Sequence, residues 1–328
     1  MKQKRLNIIA VLAFIIGIGC LAYPFVSNYL NQKELSKISD NQSQVVQKIA
    51  KERPHALDEE KEKSISYNES LRQGKTIITD PFDPSSVKDI AKEYDQRLNI
   101  ADDSIMATLF IPCIGVKMPV YHGTSDEVLQ KGIGHLATTS LPIGGESTHS
   151  VLSGHTGLPS IQILDNLEKV KIGDYFIIRV LGEDHAYEVY DIDTVLPTET
   201  DSLTIQPDQD LCTLVTCTPY GVNSHRLLVH AKRIDVPQDW LDRNAKDPEN
   251  PVSVNGPSVW DMLHRSYKIG IIVALAFILG LVVILFIRNK RKEANTLNKK
   301  ALPKTNVSRR PSTPRPGKKP HKPGHFKK

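Results

Sequence analysis

Two apolar segments near the ends of the 328-residue chain constrain its folding more than any other feature. Residues 6–30 are almost uncharged and rich in Ile, Leu, Ala, Phe and Val, and residues 269–287 are apolar without interruption. A helix crosses the bilayer core with roughly 20 apolar residues, so each segment is long enough to span. The second is stopped by Arg288, Lys290, Arg291 and Lys292, and the first is preceded by Lys2, Lys4 and Arg5. Cytoplasmic flanks collect Lys and Arg, so both termini are expected in the cytoplasm, with the region between the spans extracellular. The expected topology is a two-pass hairpin in the cell membrane. The first segment also has the basic start and apolar core of a signal peptide, although no clear small-x-small cleavage site follows it. Cys20 after Gly19 suggests a lipidation site, but Gly17 stands where a larger apolar residue is usual.

Charge is distributed to match. The tail from Arg288 onward carries about +14 and the first five residues about +3, which leaves about −12 for the exported part of a chain of net charge +5. The basic excess thus lies in a Pro-rich tail beside a lipid bilayer, where it touches anionic lipid, and nucleic-acid binding is a poor reading of it. Residues 31–73 are rich in Lys, Glu, Gln and Ser and read as exposed helix or a helical stalk, broken at Pro54. A short β-prone piece, 76–79, leads into Asp80-Pro81-Phe82-Asp83-Pro84, a loop that cannot join a sheet, and a helical pattern then runs through Tyr94.

From Ser104 to Val236 the texture changes to short runs of Val, Ile, Leu, Thr and Tyr punctuated by Gly, Pro and Asp, the pattern of an all-β barrel or sandwich. Candidate strands are 106–111, 117–121, 150–153, 175–181, 185–196, 210–217 and 226–234, with a short helix at 161–167. Residues 240–267 are polar and rich in Asn, Asp and Pro, with little to build a core, and read as a linker. The expected organisation is therefore 1–30 cytoplasmic N-terminus and first span, 31–103 exposed helical region, 104–236 β domain, 237–267 linker, 268–288 second span and 289–328 basic cytoplasmic tail.

The β domain carries a candidate site. The strand 210–217, D-L-C-T-L-V-T-C, ends at a strong turn signal, Thr218-Pro219-Tyr220-Gly221, which places Cys217 at a strand terminus. Arg226 opens the next β-prone run, and antiparallel pairing would set it nearly opposite Cys217. A positive charge favours the thiolate, and a guanidinium always offers several N–H donors, also toward a developing oxyanion. Against this stands the ordinary fate of a free cysteine, which is to be small buried filler. Cys212 lies five residues before Cys217 on the same strand, so the two face opposite sides about 17 Å apart and cannot bridge. Cys113, beside Pro112 and Gly115, reads as core or loop filler. His155, in a Gly-flanked loop after a β-prone run, is a candidate proton carrier. His122, His135, His149 and His225 compete with it on sequence alone.

T-L-V-T-C at 213–217 resembles the T-L-x-T-C signature of sortases, in which an Arg about nine residues after the Cys completes the site, as Arg226 does. S-G-H-T at 153–156 is similar to the sortase histidine motif, which assigns that role to His155 and leaves the other histidines structural or solvent roles. C-T-P-Y-G-V-N-S-H-R at 217–226 resembles the pilus-assembling class C branch, and the likeness covers about 76–234 and both apolar segments.

The resemblance implies a mainly β fold, an eight-stranded sortase-type barrel with short helices on the outer face of a Gram-positive membrane. It implies a cysteine transpeptidase that cleaves an LPxTG-like sorting signal between Thr and Gly. Cys217 would form a thioacyl-enzyme, His155 would act as general acid and base, and Arg226 would steady the oxyanion. The partners would be pilin subunits, with a pilin lysine as acceptor, and neither cofactor nor metal is needed. Asp80-Pro81-Phe82 resembles the class C lid, with Asp80 on Arg226 and Phe82 over Cys217. Taken as residues alone, Asp-Pro is also a common turn. Other readings are a housekeeping sortase that attaches proteins to peptidoglycan and a non-enzymatic surface adhesin or sensor with an inert Cys217. A zinc module is disfavoured, because the Cys spacing is not C-x-x-C.

Overall fold

The computed structural model describes residues 2–74, 78–83, 92–158, 160–247 and, with gaps, 268–294. The β-prone residues 76–77, the helical pattern over 84–91, the linker beyond 247 and the tail beyond 294 lie outside the described residues. Met1–His264 form one compact unit and Arg265–Lys328 a second. Within the second, Lys268–Ile278 is a short apolar helix.

The first unit is built on a closed mixed β-barrel of eight strands in the order β1-β2-β3-β4-β7-β8-β6-β5. The strands are β1 (Ile105–Ile111), β2 (Val116–His122), β3 (Ile133–His135), β4 (Thr148–Ser153), β5 (Tyr175–Val180), β6 (Glu183–Val195), β7 (Asp210–Thr218) and β8 (His225–Ile234). β2 with β3 and β4 with β7 pair in parallel, and every other pair is antiparallel. Closure leaves no free edge, which is what lets short strands persist. Alternation along β7 sorts its side chains: Cys212 and Leu214 enter the main barrel core, while Val215 joins a smaller cluster on the other face with Leu136, Val151, Leu203 and Leu228.

The amino-terminal helix α1 runs from Lys2 to Glu52 with Pro24 inside it. Among the described residues it alone is long and apolar enough to cross a membrane. Its outer half differs from the expected exposed stalk. Leu35, Ser39, Gln42, Val46 and Ile49 are buried at helical spacing, and Gln42 Nε2 donates to the Ile105 carbonyl at 3.2 Å. Lys117 of β2 meets Asp40 of α1 at 2.5 Å. Pro54 then opens α2 (Pro54–Gln73), where its missing N–H leaves no donor unpaired. The Asn68 amide both donates to and accepts from the backbone of Leu141, at 3.2 and 2.7 Å. Leu35 and Tyr67 reach the main core, with Ile38, Ile65 and Leu71 packed against it, and polar side chains interspersed on the same faces satisfy backbone groups beneath them, which dilutes the apolar periodicity that a sequence shows.

Further differences from the sequence reading have physical causes. No helix forms over 161–167; the Asp165 carboxylate takes the N–H groups of Gly157 and Ile163, at 3.0 and 3.1 Å, and so competes with helical pairing. A 3₁₀ turn, Leu167–Lys169, follows instead. Strand β3 was not foreseen because its three residues, Ile133–His135, carry no readable alternation. Cys113 is exposed in the 3₁₀ turn Pro112–Ile114, so it is loop and not core. The expected linker begins with a helix: after α3 (Lys92–Gln96) and α4 (Asp126–Leu129), α5 spans Gln238–Lys246 and buries Trp240 completely.

Candidate active site

One end of the barrel collects the candidate residues through strand register. β4 and β7 run parallel with Ser153 beside Val215, so their carboxyl ends emerge together and His155 follows β4 at the level of Cys217. β7 and β8 run antiparallel with Cys217 directly paired to Arg226, across a turn that begins at the cis peptide Thr218–Pro219. The fold therefore gathers thiol, imidazole and guanidinium at one rim from three separate segments.

The turn after β4 is tightly fixed. A Cβ on Gly154 would come within 2.8 Å of Ile163 and 2.9 Å of both Ile133 and Leu164, so any side chain there would force these buried side chains to shift. Thr216, one residue before Cys217, donates to the Gly154 carbonyl and also meets the Thr156 hydroxyl, both at 2.7 Å. These contacts tie the residues flanking His155 to those flanking Cys217.

Asp80 meets Arg226 with both carboxylate oxygens, Oδ1 to Nε at 2.9 Å and Oδ2 to Nη2 at 2.6 Å. The two side chains are only 11% and 12% exposed. Bidentate geometry strengthens such a pair while burial adds a desolvation cost, which leaves a net contribution on the order of 1 kcal/mol. Phe82 lies over the same guanidinium, 4.9 Å from its ring centre, and 5.5 Å from the His155 ring. It also packs on the outer cluster that contains Val215. Pro81 lies in the turn between them, closed by the Asp83 N–H on the Asp80 carbonyl at 3.0 Å.

Cys217 is 7% exposed. Burial pushes its thiol above the usual range; Arg226 pulls the other way, and Asp80 adds to the rise. His155 is held below the ordinary imidazole value by burial and by Arg226, against the opposing charge of Asp126 in α4. Both groups are therefore neutral at pH 7 while Asp80 occupies Arg226. No described residue hydrogen-bonds to the His155 ring. The competing histidines have other partners. His135 is buried between Tyr94 and the Ser140 carbonyl, and His149 between the Thr204 carbonyl and Thr213, each pushed down to about 4 by burial. His122 bonds the carbonyls of Ser104 and Arg97, and His225 bonds Ser224. Among the described residues no group of three or more His, Cys, Asp or Glu side chains could hold a metal ion. The sequence reading missed Thr156, Thr216 and Asp165, which lock the turn, although a hydroxyl on each side of the site was visible in S-G-H-T and T-L-V-T-C.

A strand-end thiol beside a guanidinium, with an imidazole on the adjoining turn, is an arrangement for acyl transfer through a thioester, the chemistry of a cysteine transpeptidase. The Sortase domain family matches residues 109–234. The chain is 46% identical to sortase C-1 from Actinomyces oris, over 56% of this chain and 100% of that one, with a TM-score of 0.52. It is 40% identical to a lid mutant of sortase A from Corynebacterium diphtheriae, over 60% and 98%, TM-score 0.51. It is 35% identical to sortase C1 of GBS Pilus Island 1, over 64% and 94%, TM-score 0.51. The chain belongs to the sortase family and is a cysteine transpeptidase.

Proposed function

We propose that this sortase is a pilus-assembling, class C enzyme in which Cys217 is the nucleophile, His155 the general acid and base, and Arg226 the oxyanion and substrate stabiliser. The observation that carries the reading is that Asp80 and Phe82 of the segment Asp80-Pro81-Phe82 contact Arg226, and Phe82 also the His155 ring, contacts that support a role for the segment as a lid. The likeness to sortase C-1, to a lid mutant and to a Pilus Island enzyme supports it. In the same reading residues 104–236 are the catalytic domain, 31–103 the helical and lid region, and 268–288 a second span that makes the protein two-pass with both termini cytoplasmic.

The chemistry follows from the resting state. With Asp80 in place the thiol and imidazole are neutral and Phe82 obstructs approach, so the lid must swing away before substrate enters. Its departure frees the Arg226 fork and removes a negative charge that opposes the thiolate. The Cys217 thiol passes its proton to His155 as sulfur attacks the Thr carbonyl of the sorting signal, and Arg226 donates to the oxyanion. The C–N bond to Gly then breaks, and His155 returns the proton to the leaving amine. A pilin lysine amine attacks the thioester, forming an isopeptide bond as the C–S bond breaks. The proton lost by the lysine nitrogen passes through His155 back to sulfur.

Co-expression with pilins bearing LPxTG-like signals tests the assignment. High-molecular-weight ladders that vanish in Cys217→Ala, with a thioacyl adduct on Cys217 seen by mass spectrometry, are the expected result. Transfer to peptidoglycan cross-bridge amines without ladders would make it a housekeeping sortase instead, and absence of any adduct would leave Cys217 inert.

The lid has its own expected signature. Asp80→Asn removes a charge that raises the Cys217 pKa, so the thiolate fraction at fixed pH rises and the alkylation profile moves toward lower pH. Labelling at pH 7 several-fold faster than wild type is expected. Labelling at the wild-type rate across pH 6–9 would refute the lid.

A further inference from the structure

Where α1 leaves its apolar half, Ser27, Asn28, Asn31 and Gln32 form a polar stripe on one helical face. The stripe is seated on an irregular segment just before Leu164, in which Ile161 and Ile163 are buried in the core. The Ser160 carbonyl accepts from Ser27 Oγ at 3.1 Å and from Asn31 Nδ2 at 2.9 Å. The Gln162 N–H donates to Asn28 Oδ1 at 2.8 Å, and the Gln162 carbonyl accepts from Gln32 Nε2 at 2.5 Å. The Asn28 amide also reaches the Gln162 side chain at 3.5 Å. Helix side chains thereby satisfy the backbone groups of a segment that has no strand partner there, an alternative to leaving them to water.

That segment leads back to His155. Ile163 and Gly157 share the Asp165 carboxylate, the Leu164 N–H donates to the His155 carbonyl at 3.1 Å, and the Leu164 carbonyl meets Thr156 at 3.3 Å. α1 is continuous from its apolar half to the stripe, with no break between the two. The helix that enters the membrane is therefore joined to the turn carrying the imidazole through two successive layers of hydrogen bonds.

We infer that Asn28, Asn31 and Gln32 are positioning residues, which act through Ser160 and Gln162 to hold His155 at the level of Cys217. The membrane-proximal turn of α1 is thus part of the catalytic apparatus and more than a tether. The inference rests on the proposed roles of His155 and Cys217. A displacement of about 1 Å at a proton-transfer group lowers a rate by up to about 100-fold, so a clamp one layer removed is expected to matter by about ten-fold.

The test uses the full chain in lipid nanodiscs, comparing wild type with Asn28→Ala/Asn31→Ala/Gln32→Ala. Hydrogen exchange is expected to rise about ten-fold or more at the Gln162 and Leu164 amides while β7 and β8 amides are unchanged. Single-turnover acylation by a sorting-signal peptide is expected to fall about ten-fold. Modification of Cys217 by a small methanethiosulfonate, which forms a mixed disulfide on the thiolate, releases methanesulfinate and needs no proton donated by His155, is expected to stay within about two-fold. A merely structural role would not separate acylation from thiol modification in this way. Because the triple variant could lose its fold, Asn28→Ala and Asn28→Asp form a second pair. The aspartate keeps an acceptor for the Gln162 N–H and is expected to retain the Leu164 protection that alanine loses. Unchanged Leu164 exchange, or acylation within two-fold of wild type in a folded variant, overturns the inference. Wild type that exchanges as expected yet never acylates would instead refute the catalytic roles, and the positioning inference with them.

Discussion

A chain carrying Arg226→Lys is expected to form the thioacyl adduct about 100-fold more slowly than wild type, while its cysteine keeps most of its electrostatic environment. Lysine preserves the positive charge next to Cys217 but replaces a planar fork with a single ammonium. In the resting structure four of the five N–H donors of the fork are used, Nε and Nη2 on Asp80 and Nη1 on the carbonyls of Asn223 and His225. Those carbonyl contacts hold the guanidinium plane against the strand that pairs Arg226 with Cys217, so its donors are aimed before substrate arrives. An ammonium on a flexible stem is not aimed in that way. The measurement is single-turnover acylation beside the pH profile of thiol alkylation. A large drop in acylation with an alkylation midpoint moved by less than about half a pH unit separates oxyanion donation from simple charge. Acylation within about three-fold of wild type would remove Arg226 from the mechanism as proposed.

The second large effect is on stability, at Trp240. Its indole is 0% exposed and meets Phe110 edge-on at 5.1 Å, while its Nε1–H donates to Asp184 at 2.7 Å. The same carboxylate takes Arg179 bidentately at 2.6 and 2.9 Å, and Arg179 in turn bonds Asn244 of α5 at 2.9 Å and lies over the Phe110 ring at 5.1 Å. Trp240 thus covers an apolar patch of Phe110, Ile177 and Ala186 outside the main core. Trp240→Ala is expected to destabilise the first unit by about 3–5 kcal/mol, or about 10 °C in melting temperature. Trp240→Phe, which keeps the ring and loses only the N–H, is expected to lower stability by about 1–2 kcal/mol. Thermal unfolding of the full chain in detergent reads both. A Trp240→Ala midpoint within 2 °C of wild type would mean that α5 is not an integral part of the unit.

Much of the site could be read in the sequence because it depends on short-range geometry. Cys217 ends an apolar strand, a turn follows, and Arg226 opens the next run; a hairpin of that length leaves few registers. His155 was singled out by its glycines, and the close approach of Ile133, Ile163 and Leu164 to Gly154 explains one of them. Asp80 and Phe82 were different. Their place on the site is a contact between residues more than 140 apart, which no local pattern encodes, and only the family likeness suggested it.

The misread elements share a cause. Residues 31–73 look solvated, yet Ser39, Gln42, Ser64 and Asn68 are buried. Gln42 and Asn68 are satisfied by barrel backbone, and composition cannot distinguish that from water. The run 161–167 has helix-compatible apolar residues, but the Asp165 carboxylate claims the backbone donors first. The stretch after Val236 is polar on average, and one tryptophan makes its first turns part of the core.

By itself, then, the sequence determined the apolar ends, the β character of the middle and the strand-end cysteine with its arginine across a turn. These follow from length, alternation and turn chemistry, which act between near neighbours. Tertiary structure alone decided that the carboxyl ends of β4 and β7 emerge together, that Asp80 and Phe82 occupy Arg226 beside a thiol that burial pushes up, and that α1 hydrogen-bonds the segment leading back to the turn of His155. Those are parallel pairing, burial and long-range hydrogen bonding, and their energies exist only once distant segments have met.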